Sequence, residues 1–196
     1  MSKGQETRTA ILDEALAVAS QVGFTGLTIG RLAEQTGMSK SGLFAHFQSK
    51  EQLQLQTLAH GRRRFIDTTV RPTLAAPRGE KRVRELFERW LVWESQTLPG
   101  GCIFITGSIE FDDQPGPMRD ALVADQRDWL DTVAAVTETA VADGDFRADV
   151  DPRQAAFEIQ GLILGYQHSA RLLHDDLALE RARVAFEALL DRARAH

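Results

Sequence analysis

Residues 28–47, TIGRLAEQTGMSKSGLFAHF, place two short helices on either side of a tight turn. Thr28 can cap the first, Ile29 to Thr36, and Ser39 can cap the second, Lys40 to about Phe47. In each case a hydroxyl accepts one of the N–H groups that a helix start leaves open. Gly37 suits the left-handed conformation that ends a helix cheaply. Met38 is an apolar residue placed to plug the angle between the two helices. Ile29, Leu32 and Ala33 face inward on the first helix, and Leu43 and Phe47, four apart, on the second. This is helix-turn-helix spacing, in which the second helix enters a DNA major groove.

The rest of the chain carries the same helical punctuation, with no alternating β-branched run between hairpin turns. A first helix is expected from about Arg8 to Val22, closed by Gly23. A fourth begins at Lys50 behind the cap Ser49 and runs to about Val70. Pro72, Pro77 and Gly79 mark a break near residues 71–80. Further helices are expected over Glu80–Gln96, Cys102–Phe111, Met118–Ala142, Asp151–His174 and Leu177–Ala195. Periodicity alone leaves Cys102–Phe111 open between helix and buried strand; its helical surroundings favour helix. The reading is all-α with about nine helices. It divides into a three-helix helix-turn-helix domain at 1–50, linked through helix 50–70, and a further helical domain at 71–196.

Composition narrows the function. The 196 residues carry a net charge of −5, which by itself argues against a nucleic-acid partner. The charge is divided, however: residues 1–71 hold nine Lys/Arg against six Asp/Glu, and residues 72–196 hold fourteen against twenty-two. An acidic protein can still present a locally basic face to phosphates. The single cysteine, Cys102, excludes an internal disulfide and a cysteine-rich zinc site. No run is apolar enough to span a membrane. Asp13 and Glu14 interrupt the apolar part of the N-terminus, unlike a secretory signal, so a cytoplasmic location is expected. His46, His60, His168, His174 and His196 have no metal-ligand spacing. There is no H-E-x-x-H, G-x-S-x-G or phosphate loop, so a helical enzyme is the weaker alternative and no cofactor or metal is expected.

On the third helix, Lys40, Ser41, Gly42, Phe44 and His46 are left for a surface other than the core. Lys40 stands at the helix N-terminus, where charge and open N–H groups favour an anion. Ser39 and Ser41 can donate hydroxyl bonds, Phe44 can pack on the sugar-phosphate backbone, and Lys50 adds a phosphate contact. Burial of Phe44 and His46 inside the domain is the alternative. The run Thr28 to Leu53, with the upstream Gly23-Phe24 and Gly26-Leu27, closely resembles the N-terminal domain of TetR/AcrR-type transcriptional regulators over about residues 8–60. The resemblance implies a homodimer bound to an inverted-repeat operator, with a variable C-terminal domain for a small-molecule effector. A repressor released by a small hydrophobic ligand is expected, with an activator on the same fold as the alternative. The resemblance makes Thr28, Phe44 and Lys50 phosphate contacts, His46 a phosphate or base contact, and Lys40, Ser41 and Gly42 the base-facing start. Gly42 departs from the pattern in offering no side chain to a base.

Helix Asp151–His174 is apolar on two sides. One side (Ala155, Ile159, Leu162, Ile163, Tyr166) suits the subunit's own core. The other (Phe157, Gly161, Leu164, His168, Leu172) calls for a second partner. Gly161 and Gly165 allow close helix approach. With Phe186, Leu189 and Leu190 of the last helix, this face is expected to form a four-helix dimer interface, the alternative being burial within one subunit. The effector is expected among Phe65, Trp90, Trp93, Cys102, Phe104, Ile105, Trp129 and Gln160, plain core being the alternative for each. Arg62-Arg63-Arg64 reads as a solvated face or an interdomain contact.

Overall fold

The computed structural model describes residues 3–195, leaving Met1, Ser2 and His196 outside. Among the described residues there are ten α-helices and no strand: α1 Lys3–Gly26, α2 Ile29–Thr36, α3 Lys40–Phe47, α4 Lys50–Phe65, α5 Arg71–Ala75, α6 Glu80–Val92, α7 Ile103–Phe111, α8 Pro117–Ala142, α9 Pro152–Gln167 and α10 Ala178–Ala193. Wider π-helical turns extend α4, α6 and α9 over Ile66–Val70, Trp93–Thr97 and His168–Leu172.

Three differences from the sequence reading have local causes. α1 begins five residues earlier than expected; its helical backbone is interrupted where expected, at Gly23 (φ 73, ψ 170), and a short further stretch follows to Gly26. The expected break after residue 70 holds the short helix α5, because Pro72 sits in its first turn, where a missing N–H costs nothing. The helix expected to run unbroken from Lys50 to Val70 widens after Phe65, since Pro72 has no N–H to continue the ladder. There the buried Thr73 hydroxyl donates to the Thr69 carbonyl at 2.7 Å.

The chain forms two compact units. The first comprises residues 1–66 and 95–125, so that 95–125, placed in the second domain by the sequence reading, groups with the first four helices. Here α1 packs on α2, α4 and α7. Ala15, Leu16, Leu27, Leu32, Leu43, Phe47, Leu53 and Ile103 are among its buried residues. The turn before α7 lies against α1, with Gly100 N–H donating to Ser20 Oγ at 2.9 Å.

The second unit comprises residues 67–94 and 126–196. Phe87 of α6 stacks on Phe186 of α10 at 4.0 Å, and Trp90 meets Tyr166 of α9 edge-on at 6.1 Å. At the edge of this core Glu80 and Arg84 on α6 face Glu187 and Arg194. Arg84 bonds Glu80 at 2.8 Å and Glu187 at 2.7 Å, and Arg194 bonds the same two carboxylates at 2.8 and 2.7 Å. Hydrogen bonds from Arg84 and then Arg194 hold the Glu187 carboxyl down to about 2, and Arg194 likewise lowers Glu80. A depressed carboxylate contributes stability above its ordinary pKa and loses it as pH falls through the folded value. The melting temperature of the parent should therefore approach that of Glu187→Gln between about pH 4.5 and 2. A gap between them that is constant from pH 7 to 2 would refute this.

Candidate nucleic-acid interface

The caps act as their residue types dictate. Thr28 Oγ1 accepts from Arg31 N–H and Ser39 Oγ from Gly42 N–H, both at 3.1 Å, while Gly37 ends α2 at φ 67. Leu43 and Phe47 anchor α3 in the core at 0% and 1% exposure. Arg8 of α1 lies over the Phe47 ring, 5.9 Å from its centre. Met38 is half-buried in the turn.

With those two residues inward, the opposite side of α3 points to solvent. Phe44 is 58% exposed, Lys40 and Ser41 are exposed, and His46 is half-buried. Ser39 and Ser41 hydroxyls lie 3.2 Å apart. The Lys40 side chain reaches back over the start of α2, its ammonium 3.8 Å from where a Cβ on Gly30 would sit. Thr28 Oγ1 lies at the same distance from that point, so Thr28 and Lys40 come together around the α2 N-terminus. Lys50 is placed differently: its ammonium donates to the Thr25 carbonyl at 2.6 Å, which ties α4 to the end of α1. Sequence reasoning missed Gly30, whose only signal is the space it leaves for Lys40. It also missed Gln54, whose buried amide donates to the Phe24 carbonyl at 2.6 Å across thirty residues.

An outward polar and aromatic face on a short helix, held at a fixed angle by a capped partner, is what groove recognition requires. Residues 11–57 match the family described as bacterial regulatory proteins, tetR family. Residues 79–186, more than half of the chain, match the tetracyclin repressor-like C-terminal domain. The chain belongs to the TetR family. This TetR-family transcriptional regulator is therefore a DNA-binding protein and not an enzyme. It is 24% identical over 192 residues to the HTH-type transcriptional regulator SrpR of Pseudomonas putida, covering 96% of this chain and 87% of the relative. A TetR transcriptional regulator from Chloroflexus aurantiacus superposes with a TM-score of 0.86 at 27% identity over 100% of both chains. AibR, solved in complex with isovaleryl coenzyme A and operator DNA, superposes with a TM-score of 0.69 at 22% identity, covering 89% of this chain and 95% of its own.

The residues expected to line an effector site divide between the units. In the first, Phe65 and Phe104 meet at 5.6 Å, and Cys102 and Ile105 are buried. In the second, Trp90 and Trp93 are buried, and Trp129 Nε1–H donates to Gln160 Oε1 at 2.9 Å. Phe104, Trp129 and Gln160 are half-buried. A cleft of about 140 Å³ lies elsewhere in the second unit, lined by Gln154, Glu158, Leu189 and Arg192 among others. That is below the ~300 Å³ of typical small-molecule sites.

The residues expected at a dimer interface also divide. Phe157, Leu164 and Leu172 are 72%, 43% and 67% exposed; Gly161, Gly165 and His168 are exposed as well. Added Cβ atoms at the two glycines would meet nothing within 4 Å. Phe186, Leu189 and Leu190 are instead buried in the subunit's own core, which corrects the sequence reading for α10. The large apolar side chains that α10 exposes are Leu179 and Val184. Among the described residues no group of three His, Cys, Asp or Glu could hold a metal ion, and no helix is long and apolar enough to cross a membrane.

Proposed function

We propose that the protein is a cytoplasmic homodimeric repressor that binds an inverted-repeat operator and is released by a small hydrophobic effector. The observation that carries this reading is the exposed apolar stripe of Phe157 and Leu164 on α9 and Leu172 on the turn that extends it. Such a stripe is what self-association through a two-fold axis covers. Two copies joined there give the pair of recognition helices that half-sites ~34–36 Å apart require. Thr28, Phe44 and Lys50 serve as phosphate contacts, with Lys50 keeping its bond to Thr25, while Lys40 stands at the base-facing start of α3, where its charge also favours a phosphate. Ser39, Ser41, His46 and the backbone at Gly42 read or approach base edges. A small-molecule effector is supported by AibR, which was solved with isovaleryl coenzyme A and operator DNA bound together. A ligand that favours one spacing of the recognition helices shifts operator affinity by its differential affinity for the two states. The domain division that fits this mechanism is 1–50 for DNA and 71–196 for ligand and partner.

The test is selection of bound fragments from random duplex DNA, followed by a metabolite screen for release of the best fragment. An inverted-repeat consensus supports the reading; a consensus with one unrepeated half-site overturns the dimer. Lys40→Ala should weaken binding of the selected duplex about tenfold and reduce the slope of log affinity against log salt by about one. Equal affinity of the variant and parent at every salt concentration would remove Lys40 from the interface.

A further inference from the structure

At Gly23 the backbone of α1 leaves the helical region, five residues before the cap of α2. One side chain from far along the chain meets the groups exposed there. Glu110, on α7, accepts from Phe24 N–H at 2.7 Å through Oε2. Its Oε1 accepts from the Thr25 hydroxyl at 2.7 Å and from Thr25 N–H at 3.4 Å. A Cβ on Gly23 would lie 1.9 Å from that same Oε1, so the carboxylate occupies space that only glycine leaves. From the other side α4 takes the carbonyls: Gln54 donates to Phe24 O and Lys50 to Thr25 O, both at 2.6 Å.

The two residues that lead into the helix-turn-helix thus give their backbone donors to α7 and their carbonyls to α4. The opposite end of the α7 segment is fixed to α1 as well, through Gly100 on Ser20. Bonds to an ionised acceptor are roughly twice as strong as neutral ones, and they fix direction. A displacement of α7 must therefore either move residues 24–25 or break this junction.

We propose that Glu110 is a positioning residue for operator binding, holding the α1–α2 connection in the arrangement that presents α3. This rests on the DNA-binding reading above. The test uses the full chain and the duplex enriched by the parent protein from a random pool. Glu110→Ala should weaken that duplex about tenfold and speed amide hydrogen exchange at residues 23–28. Glu110→Gln, whose amide oxygen can still accept from Phe24 N–H, should recover most of both. Thr25→Val removes only the hydroxyl bond and should give a smaller loss of the same kind. It keeps the test alive if the alanine variant melts below the assay temperature. Faster exchange with parental affinity overturns the proposal, as does a lowered melting temperature with parental affinity. Failure of the parent to enrich any duplex overturns instead the DNA-binding reading beneath it, and the exchange data still report on the junction.

Discussion

The double substitution Phe157→Glu and Leu164→Glu is expected to yield a folded monomer that has lost at least about a hundredfold in operator affinity. Both side chains are exposed in the single chain, at 72% and 43%, so two glutamates there meet water and the fold survives. Across a two-fold axis each would be repeated, and four carboxylates would be buried without partners, at several kcal/mol of desolvation for each. Gly161, between them on the same face, leaves the close approach that such an interface uses. Loss of the pairing removes the second half-site as an intramolecular event, and linked binding sites commonly gain ~10²–10⁴ from that linkage. Sedimentation analysis reads the association state, and fluorescence anisotropy with the selected duplex reads affinity. A variant that remains dimeric would show that α9 is not the interface.

Gly100→Ala should be the most damaging single methyl group in the first unit. Its Cβ would lie 1.8 Å from the Ser20 carbonyl oxygen, 1.9 Å from the carbonyl carbon and 2.4 Å from Gln21 N, all backbone atoms that no rotamer can move. The turn would have to withdraw from α1, breaking the Gly100–Ser20 bond and lifting Leu98, Cys102 and Ile103 out of their buried positions. Such overpacking costs about 3 kcal/mol, which for a chain of this size lowers the melting temperature by roughly 6–12 °C. Gly4→Ala, where a Cβ would meet nothing within 4 Å, is the control and should leave the melt in place. Equal melting temperatures for the two variants would mean that the turn does not press on α1 as described.

The helix-turn-helix was legible in the sequence because its instructions are local. Thr28, Gly37, Ser39 and Ser49 each fix one helix end through a bond within three residues or through a positive φ, and α2 and α3 begin and end where those residues place them. The outward direction of Phe44 followed from Leu43 and Phe47 alone. The α9 stripe was legible for the same reason, since its two apolar sides can be counted along one helix. The α10 stripe was not. Periodicity shows that Phe186, Leu189 and Leu190 share a face and are buried, but not whether the partner is the subunit's own Phe87 or a second copy. The Glu110 junction left no signal, because a carboxylate bonding backbone groups more than eighty residues away has no spacing to recognise. The short helix α5 was missed because proline was read as a break, when in the first turn it starts a helix as readily as it ends one.

Between α4 and α5 the helical rod carries a π-helical turn at Ile66–Val70. Such a turn is a wider coil that holds a spare residue within a continuous rod. Deleting one residue there returns the rod to ordinary pitch with both flanks still in phase. The same deletion in the middle of α8 would rotate everything beyond it by about 100° and turn a buried stripe to water. This seam is accordingly a place where the chain can shorten by one residue while its cores stay intact.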